Sequence, residues 1–252
     1  MVLRVDRIAP SPSPPSKREG WPSAKARRPA RDANGVRPSR SAGGERSGEG
    51  ASLLAQPEVG RKAANLWLFD LDNTLHDASH AAFPQMHLSI GEYVVGELGL
   101  TTEEASALRE RYWRRYGATL LGLVKHHGIR AAHFLEETHR MPGLEARLRT
   151  SAHDRAALAR LPGRKLILTN APRAYALRVL QTLRLARHFE AVVTIEDMTM
   201  FGALRPKPDA RSLRRLVARL GVAPGRCVLV EDTLANLKSA RAVGLRGVWM
   251  QR

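Results

Sequence analysis

Leu66-Trp67-Leu68-Phe69-Asp70-Leu71-Asp72-Asn73-Thr74-Leu75 is the stretch on which the fold depends. Four apolar residues without alternation run directly into a turn rich in carboxylates. An unalternating run of this length reads as a parallel strand buried on both faces. Asp-Asn-Thr is turn chemistry. Similar Val-, Ile- and Leu-rich runs recur at 165–168, 191–195, 227–230 and 247–250. Between them, apolar residues spaced by three and four predict helices over 174–183, 212–220 and 234–243, the last closed by Gly244. Alternating strands and helices predict an α/β fold, a doubly wound parallel sheet.

The first connection breaks this rhythm. About 85 residues separate Leu75 from Leu161, far more than one crossover helix requires. Helical spacing occupies 86–98, 101–116, 131–138 and 153–161, with Thr101-x-x-Glu104 as a capping box. The pattern predicts an α-helical cap inserted after the first strand, above the sheet edge where open α/β folds bind ligands. The expected division is a basic tail over 1–62, a catalytic core from 63–78 and 160–252, and a cap over 79–159.

Polar residues gather where the predicted strands end. The first strand gives Asp70, Asp72 and Thr74, and the second gives Thr169 and Asn170. The fourth gives Glu231, Asp232 and Thr233, with Asn236 shortly after, and Lys207-Pro208-Asp209 precedes the helix leading to it. Singly, each has an ordinary reading as a turn, a helix cap or a solvated charge. Brought to one edge of one sheet, they make a chemical set. Carboxylates with an open position suit Mg²⁺, a hard cation that also binds phosphate oxygens. A carboxylate can attack phosphorus to form an acyl-phosphate. Thr, Asn and Lys suit a phosphoryl group gathering negative charge.

Asp70-x-Asp72-x-Thr74, Thr169, Lys207 and Glu231-Asp232 resemble, in order, the four motifs of the haloacid dehalogenase-like hydrolase superfamily. The resemblance runs over 66–250. It implies Asp70 as nucleophile and magnesium ligand, with Asp72 as general acid/base and, through its carbonyl, a further ligand. It implies Thr169, Asn170 and Lys207 around the phosphoryl group, Asp232 as the acidic metal ligand, and Glu231 beside it. Asp72 favours phosphate esters over carbon–halogen bonds, because an alkoxide leaving group has to be protonated. Asn236 stands where many relatives carry a second acid, so its expected task is to orient Asp232 or Lys207.

Within the cap, Tyr112-Trp113-x-x-Tyr116-Gly117-x-Thr119-x-x-Gly122-Leu123 resembles the pyrimidine 5′-nucleotidase group. That likeness implies a lid on which a base could stack, with Tyr112, Trp113, Tyr116, Thr119 and His127 as specificity residues. Packing between helices is the competing reading of the same aromatics. The expected activity is Mg²⁺-dependent hydrolysis of a nucleoside 5′-monophosphate through an aspartyl-phosphate. A sugar-phosphate or phosphoglycolate phosphatase, or a phosphomutase, on the same core is the alternative.

Composition bounds the rest. The 252 residues carry a net charge of +17, and the first 62 hold 13 Lys/Arg against 6 Asp/Glu together with eight of the fifteen prolines. Such a tail reads as disordered. A nucleic-acid-binding protein using that tail is the non-enzyme alternative. Basic residues scattered among Pro and Ala, without interleaved aromatics, argue instead for an anionic small-molecule substrate. Cys227 is the only cysteine, so no disulfide framework forms within the chain, and its apolar neighbours predict burial. No apolar run is long enough to cross a bilayer, and no secretory h-region begins the chain, so a cytoplasmic location is the expectation. His76 and His80 share i, i+4 spacing, but a zinc site there would sit in a loop without further ligands.

Overall fold

A computed structural model describes residues 65–251; the tail assigned to 1–62 lies outside the described residues. β1 (Leu66–Phe69) holds the centre of a five-stranded parallel sheet. β2 (Arg164–Leu168) and β3 (Ala191–Val193) lie on one side, and β6 (Cys227–Glu231) and β7 (Arg246–Trp249) on the other, in the order β3-β2-β1-β6-β7. Phe69 stands level with Ile167 on β2 and Val230 on β6.

The missing alternation in β1 has a direct cause. Leu66 and Leu68 face a layer built by α9 (Ala210–Arg219) and α10 (Leu234–Ala242), among Leu213, Leu216 and Leu237. Phe69 faces the opposite layer, where α8 (Arg173–Thr182) contributes Tyr175, Ala176, Val179 and Leu180. Both faces of the strand are therefore covered, and every position favours an apolar side chain. Cys227 is buried in the first of these layers.

Seven helices fill the chain between β1 and β2: α1 (Ala78–Ala81), α2 (Phe83–Leu98), α3 (Thr102–Tyr116), α4 (Thr119–His127), α5 (Ala131–Thr138), α6 (Leu144–Arg147) and α7 (Ala152–Arg160). The capping box forms as its residues predict: Glu104 N–H donates to Thr101 Oγ1 at 3.2 Å, and Thr101 N–H donates to Glu104 Oε2 at 2.9 Å. Helices α2 to α5 enclose an apolar cluster of their own, including Tyr93, Leu108, Tyr112, Leu123 and Phe134. Ile195 and Leu204, from the chain after β3, join that cluster and seat the insertion on the sheet layer. A second tie runs from α8, where Arg178 pairs with Glu145 and donates to the carbonyls of Arg140 (2.6 Å) and Met141 (3.0 Å).

Some elements differ from expectation. The third strand stops at Val193, because Thr194 turns the chain by donating its N–H to the Asp197 carboxylate at 2.8 Å. A hairpin of β4 (Thr199–Met200) and β5 (Ala203–Leu204) follows, and α1, α4 and α6 are additional helices. Among the described residues, no helix is long and apolar enough to cross a membrane.

Candidate active site

The C-terminal ends of β1, β2 and β6 converge with the loop ahead of α9. Asp70 N–H donates to Val230 O at 2.9 Å, which extends the β1 ladder one residue beyond the strand. The chain then turns through Asn73, whose φ of 56° lies in the left-handed region that Asn tolerates. Ser79 anchors this turn, donating its N–H to Asn73 Oδ1 at 2.9 Å. Thr169 continues β2, its N–H on Val193 O at 3.0 Å, and its Oγ1 accepts from Ala171 N–H at 3.0 Å.

Lys207 is the hub. Its Nζ donates to Asp70 Oδ1 at 2.6 Å and to Glu231 Oε2 at 2.7 Å, with all three groups buried. Asn170 holds the Lys207 backbone from both sides: its Nδ2 donates to Lys207 O at 2.9 Å, and its Oδ1 accepts Lys207 N–H at 2.9 Å. The other oxygen of Glu231 accepts from Thr233 N–H at 3.2 Å. Asp232 accepts from the Thr233 hydroxyl at 3.2 Å and is only half-buried.

Charge does not balance in this cluster. Burial, opposed by Lys207 and reinforced by Glu231 and Asp72, pushes the Asp70 carboxyl up to about 8. Burial, with Glu231 next to it, pushes Asp232 up to about 6. Burial alone would depress the Lys207 ammonium, but Asp70 and Glu231 outweigh it and raise it. One ammonium thus faces more carboxylate than it neutralises, and Asp70 and Asp232 resist ionising chiefly because burial strips their hydration. Asp70, Glu231 and Asp232 each offer a carboxylate oxygen, and these oxygens lie within 4.8 Å of one another. An all-oxygen, electron-rich set short of positive charge fits Mg²⁺. Lys207 and Thr233 between them engage both oxygens of Glu231, whereas Lys207 meets Asp70, and the Thr233 hydroxyl meets Asp232, through Oδ1.

A cleft of about 280 Å³ opens over the cluster. Asp72, Thr169, Asn170 and Asn236 line it from the sheet edge, and Phe83, Met86 and His139 line it from the insertion. Among the described residues, Asn236 makes no hydrogen bond to Asp232 or Lys207. Asp72 is engaged twice, by Tyr175 O–H at 2.7 Å and by His76 Nε2 at 2.9 Å, both on Oδ1. His76 therefore serves Asp72, and the metal-ligand grouping among the described residues is the carboxylate one.

The aromatic residues of 112–127 sit elsewhere. Tyr112 is buried between α3 and α4, its hydroxyl on His127 Nε2 at 2.7 Å and its ring stacked on His126 with centroids 5.6 Å apart. Tyr116 OH meets His126 Nε2 at 2.6 Å, Thr119 Oγ1 donates to Arg109 O at 3.3 Å, and Trp113 is 65% exposed. None of these residues lines the cleft. Four-residue spacing turns Tyr112 and Tyr116 toward α4, where the histidines engage them. Sequence reasoning missed Tyr175, Phe83, Met86 and His139, whose spacing matches ordinary core helices.

Similarity to known proteins follows the same lines. Residues 65–244 match the family described as haloacid dehalogenase-like hydrolase. Phosphate metabolism protein 8 of Saccharomyces cerevisiae is 26% identical over 205 residues, 76% of this chain and 62% of that protein. Phosphoglycolate phosphatase 1 of Pseudomonas aeruginosa is 24% identical over 215 residues, 76% of this chain and 71% of that protein. The solved structure of a HAD phosphatase from Thermococcus onnurineus shares the fold, with a TM-score of 0.50 at 23% identity over 76% of this chain and 87% of that one. The chain thus spans about three fifths of the yeast relative.

Proposed function

The chain belongs to the haloacid dehalogenase-like hydrolase family, and from that premise we propose that it hydrolyses small phosphate monoesters through a phospho-aspartate on Asp70. The observation that carries this reading is the convergence of Asp70, Lys207, Glu231 and Asp232 beneath a cleft that Asp72 also lines. A carboxylate nucleophile, a fixed ammonium and a second carboxyl at i+2 are the groups that covalent phosphoryl transfer requires.

Asp70 attacks phosphorus, forming an O–P bond as the ester O–P bond breaks. Asp72 gives its proton to the departing alkoxide. It then takes one from the water that attacks the phospho-aspartate, releasing inorganic phosphate and restoring Asp70. Lys207, the Thr169 hydroxyl and the backbone N–H groups near Asn170 receive the phosphoryl oxygens. Mg²⁺ held by Asp70, Asp232 and the Asp72 carbonyl would neutralise charge on the phosphoryl group.

For the substrate we propose nucleoside 5′-monophosphates, with pyrimidines preferred, on the likeness of segment 112–123 to the pyrimidine nucleotidase group. Tyr112 and Tyr116 are engaged by histidines, so Phe83 and Met86 are the apolar surface available to a one-ring base. Phosphoglycolate is the second reading, supported by the name of the Pseudomonas relative. The deciding experiment is phosphate release from a panel of esters, with and without Mg²⁺. We expect uridine and cytidine monophosphates to exceed adenosine and guanosine monophosphates in kcat/KM. A preference for phosphoglycolate moves the assignment to the second reading, and no Mg²⁺-dependent release from any ester overturns both.

A further inference from the structure

We propose that Tyr175, together with His76, is a positioning residue that locks Asp72 with Oδ2 turned to the leaving group. The proposal deepens the phosphatase reading and rests on Asp72 being its proton donor.

Both contacts fall on one oxygen. Tyr175 O–H reaches Asp72 Oδ1 at 2.7 Å, and His76 Nε2 reaches the same atom at 2.9 Å. The phenol must be a donor there, since burial and then the Asp72 charge hold it well above its ordinary pKa. For His76 the tautomer follows from its surroundings. The ring is wholly buried, and among the described residues Nδ1 has no hydrogen-bond partner. A bare Nε2 lone pair aimed at Oδ1 would repel it, so the ring proton sits on Nε2. Two donors saturate Oδ1 as a carbonyl-like acceptor. The proton that Asp72 transfers must then travel on Oδ2, the oxygen to which no described donor is directed. Asp72 retains 17% side-chain exposure and lines the cleft.

The clamp is rigid on its far side. The Tyr175 ring is 2% exposed within the α8 layer of the core. His139, from the insertion, leans on that ring edge-on with centroids 5.7 Å apart, and it also lines the cleft. A buried tyrosine needs an acceptor for its hydroxyl in any case, so a purely structural role is the reading to be excluded. Removing the hydroxyl while keeping the ring separates the two.

The experiment compares Tyr175→Phe with the unaltered protein on two esters, p-nitrophenyl phosphate and a simple alkyl phosphate. The aryl group leaves readily as a phenolate, whereas an alkoxide needs the proton. General-acid catalysis is worth about 10²–10⁴-fold, and misdirecting the acid forfeits part of it. We expect kcat/KM to fall at least about tenfold more on the alkyl ester than on the aryl ester, with inhibition by inorganic phosphate unchanged. His76→Phe removes the other donor and should give the same split, which keeps the test open if Tyr175→Phe fails to fold. Equal losses on the two esters, or no loss on either, overturn the positioning role. Asp72→Asn runs in parallel. If Asp72→Asn shows no split between the esters, the proton-donor assignment fails and the proposal with it. A split in Asp72→Asn but in neither other variant sinks only the proposal.

Discussion

Asp70 carries two burdens at once, and they can be measured apart. Its carboxyl is raised from 3.8 to about 8 chiefly by burial. A folded-state pKa above the unfolded one means that native protein binds the extra proton between those values. Without metal, this group therefore lowers stability as pH rises from about 4 to about 8. Asp70→Asn cannot ionise and lacks that slope. We expect the variant to have no detectable turnover, because an amide is a poor nucleophile. Its melting temperature in chelator should be no lower than that of the unaltered protein at pH 8. Ligand binding stabilises the state it binds, so Mg²⁺ should raise the unaltered melting temperature and have little effect on Asp70→Asn. Calorimetry with and without Mg²⁺ checks this, and normal phosphate release by the variant would remove Asp70 as nucleophile. Asp70, Thr169 and Glu231 are legible in sequence because each ends or follows an apolar run, and Lys207 because Lys-Pro-Asp leads into a helical pattern. Tyr175 is not: it continues the apolar spacing of α8, and its partner Asp72 lies 103 residues away.

At the scale of elements, glycine separates helix propensity from packing. Gly122 lies inside α4, where a Cβ would meet Tyr112 Cγ at 2.2 Å, whereas a Cβ on Gly96 inside α2 meets nothing within 4 Å. Alanine is better than glycine in a helix by about 0.8–1 kcal/mol. Gly96→Ala should therefore stabilise by that order. Gly122→Ala must displace the Tyr112 ring and its bond to His127, and should destabilise despite the same gain in propensity. Urea titration of the two variants gives the signs, and a stabilising Gly122→Ala would show that α3 and α4 do not meet as closely as described. The same glycine explains why α4 escapes sequence reading, since 119–123 looks like a link between an aromatic patch and a histidine pair. With α4 hidden, Tyr112 and Tyr116 can be read as a lid surface. Its presence makes them the filling between two helices. The β4–β5 hairpin escapes for another reason. Two-residue strands have no periodicity to detect, and Phe201-Gly202, at φ of 51° and 73°, supplies the turn without the Asn-Gly signal.

For the whole molecule, alternating runs announce the sheet and the long first connection announces the insertion, because burial on both faces and an excess of chain are both visible in one dimension. How the insertion meets the sheet is not visible, since Phe83, Met86 and His139 are ordinary helical residues until the fold brings them over Asp70. The strand order has a temporal side. β1 is the central strand and, among the described residues, the first to be made, and both of its neighbours, β2 and β6, follow the whole insertion. Lys207 leaves the ribosome 137 residues after Asp70. At about 5–20 residues per second, a nascent chain carries Asp70 at the end of a strand with two open edges for on the order of ten seconds. Leu66, Leu68 and Phe69 stay uncovered during that wait, the condition that invites pairing with other chains. Nascent chains arrested before residue 227 should accordingly remain protease-sensitive at β1, with protection gained in one step once β6 clears the exit tunnel. Protection appearing already after β2 would mean that half a sheet is enough to shelter the strand on which the chemistry will later depend.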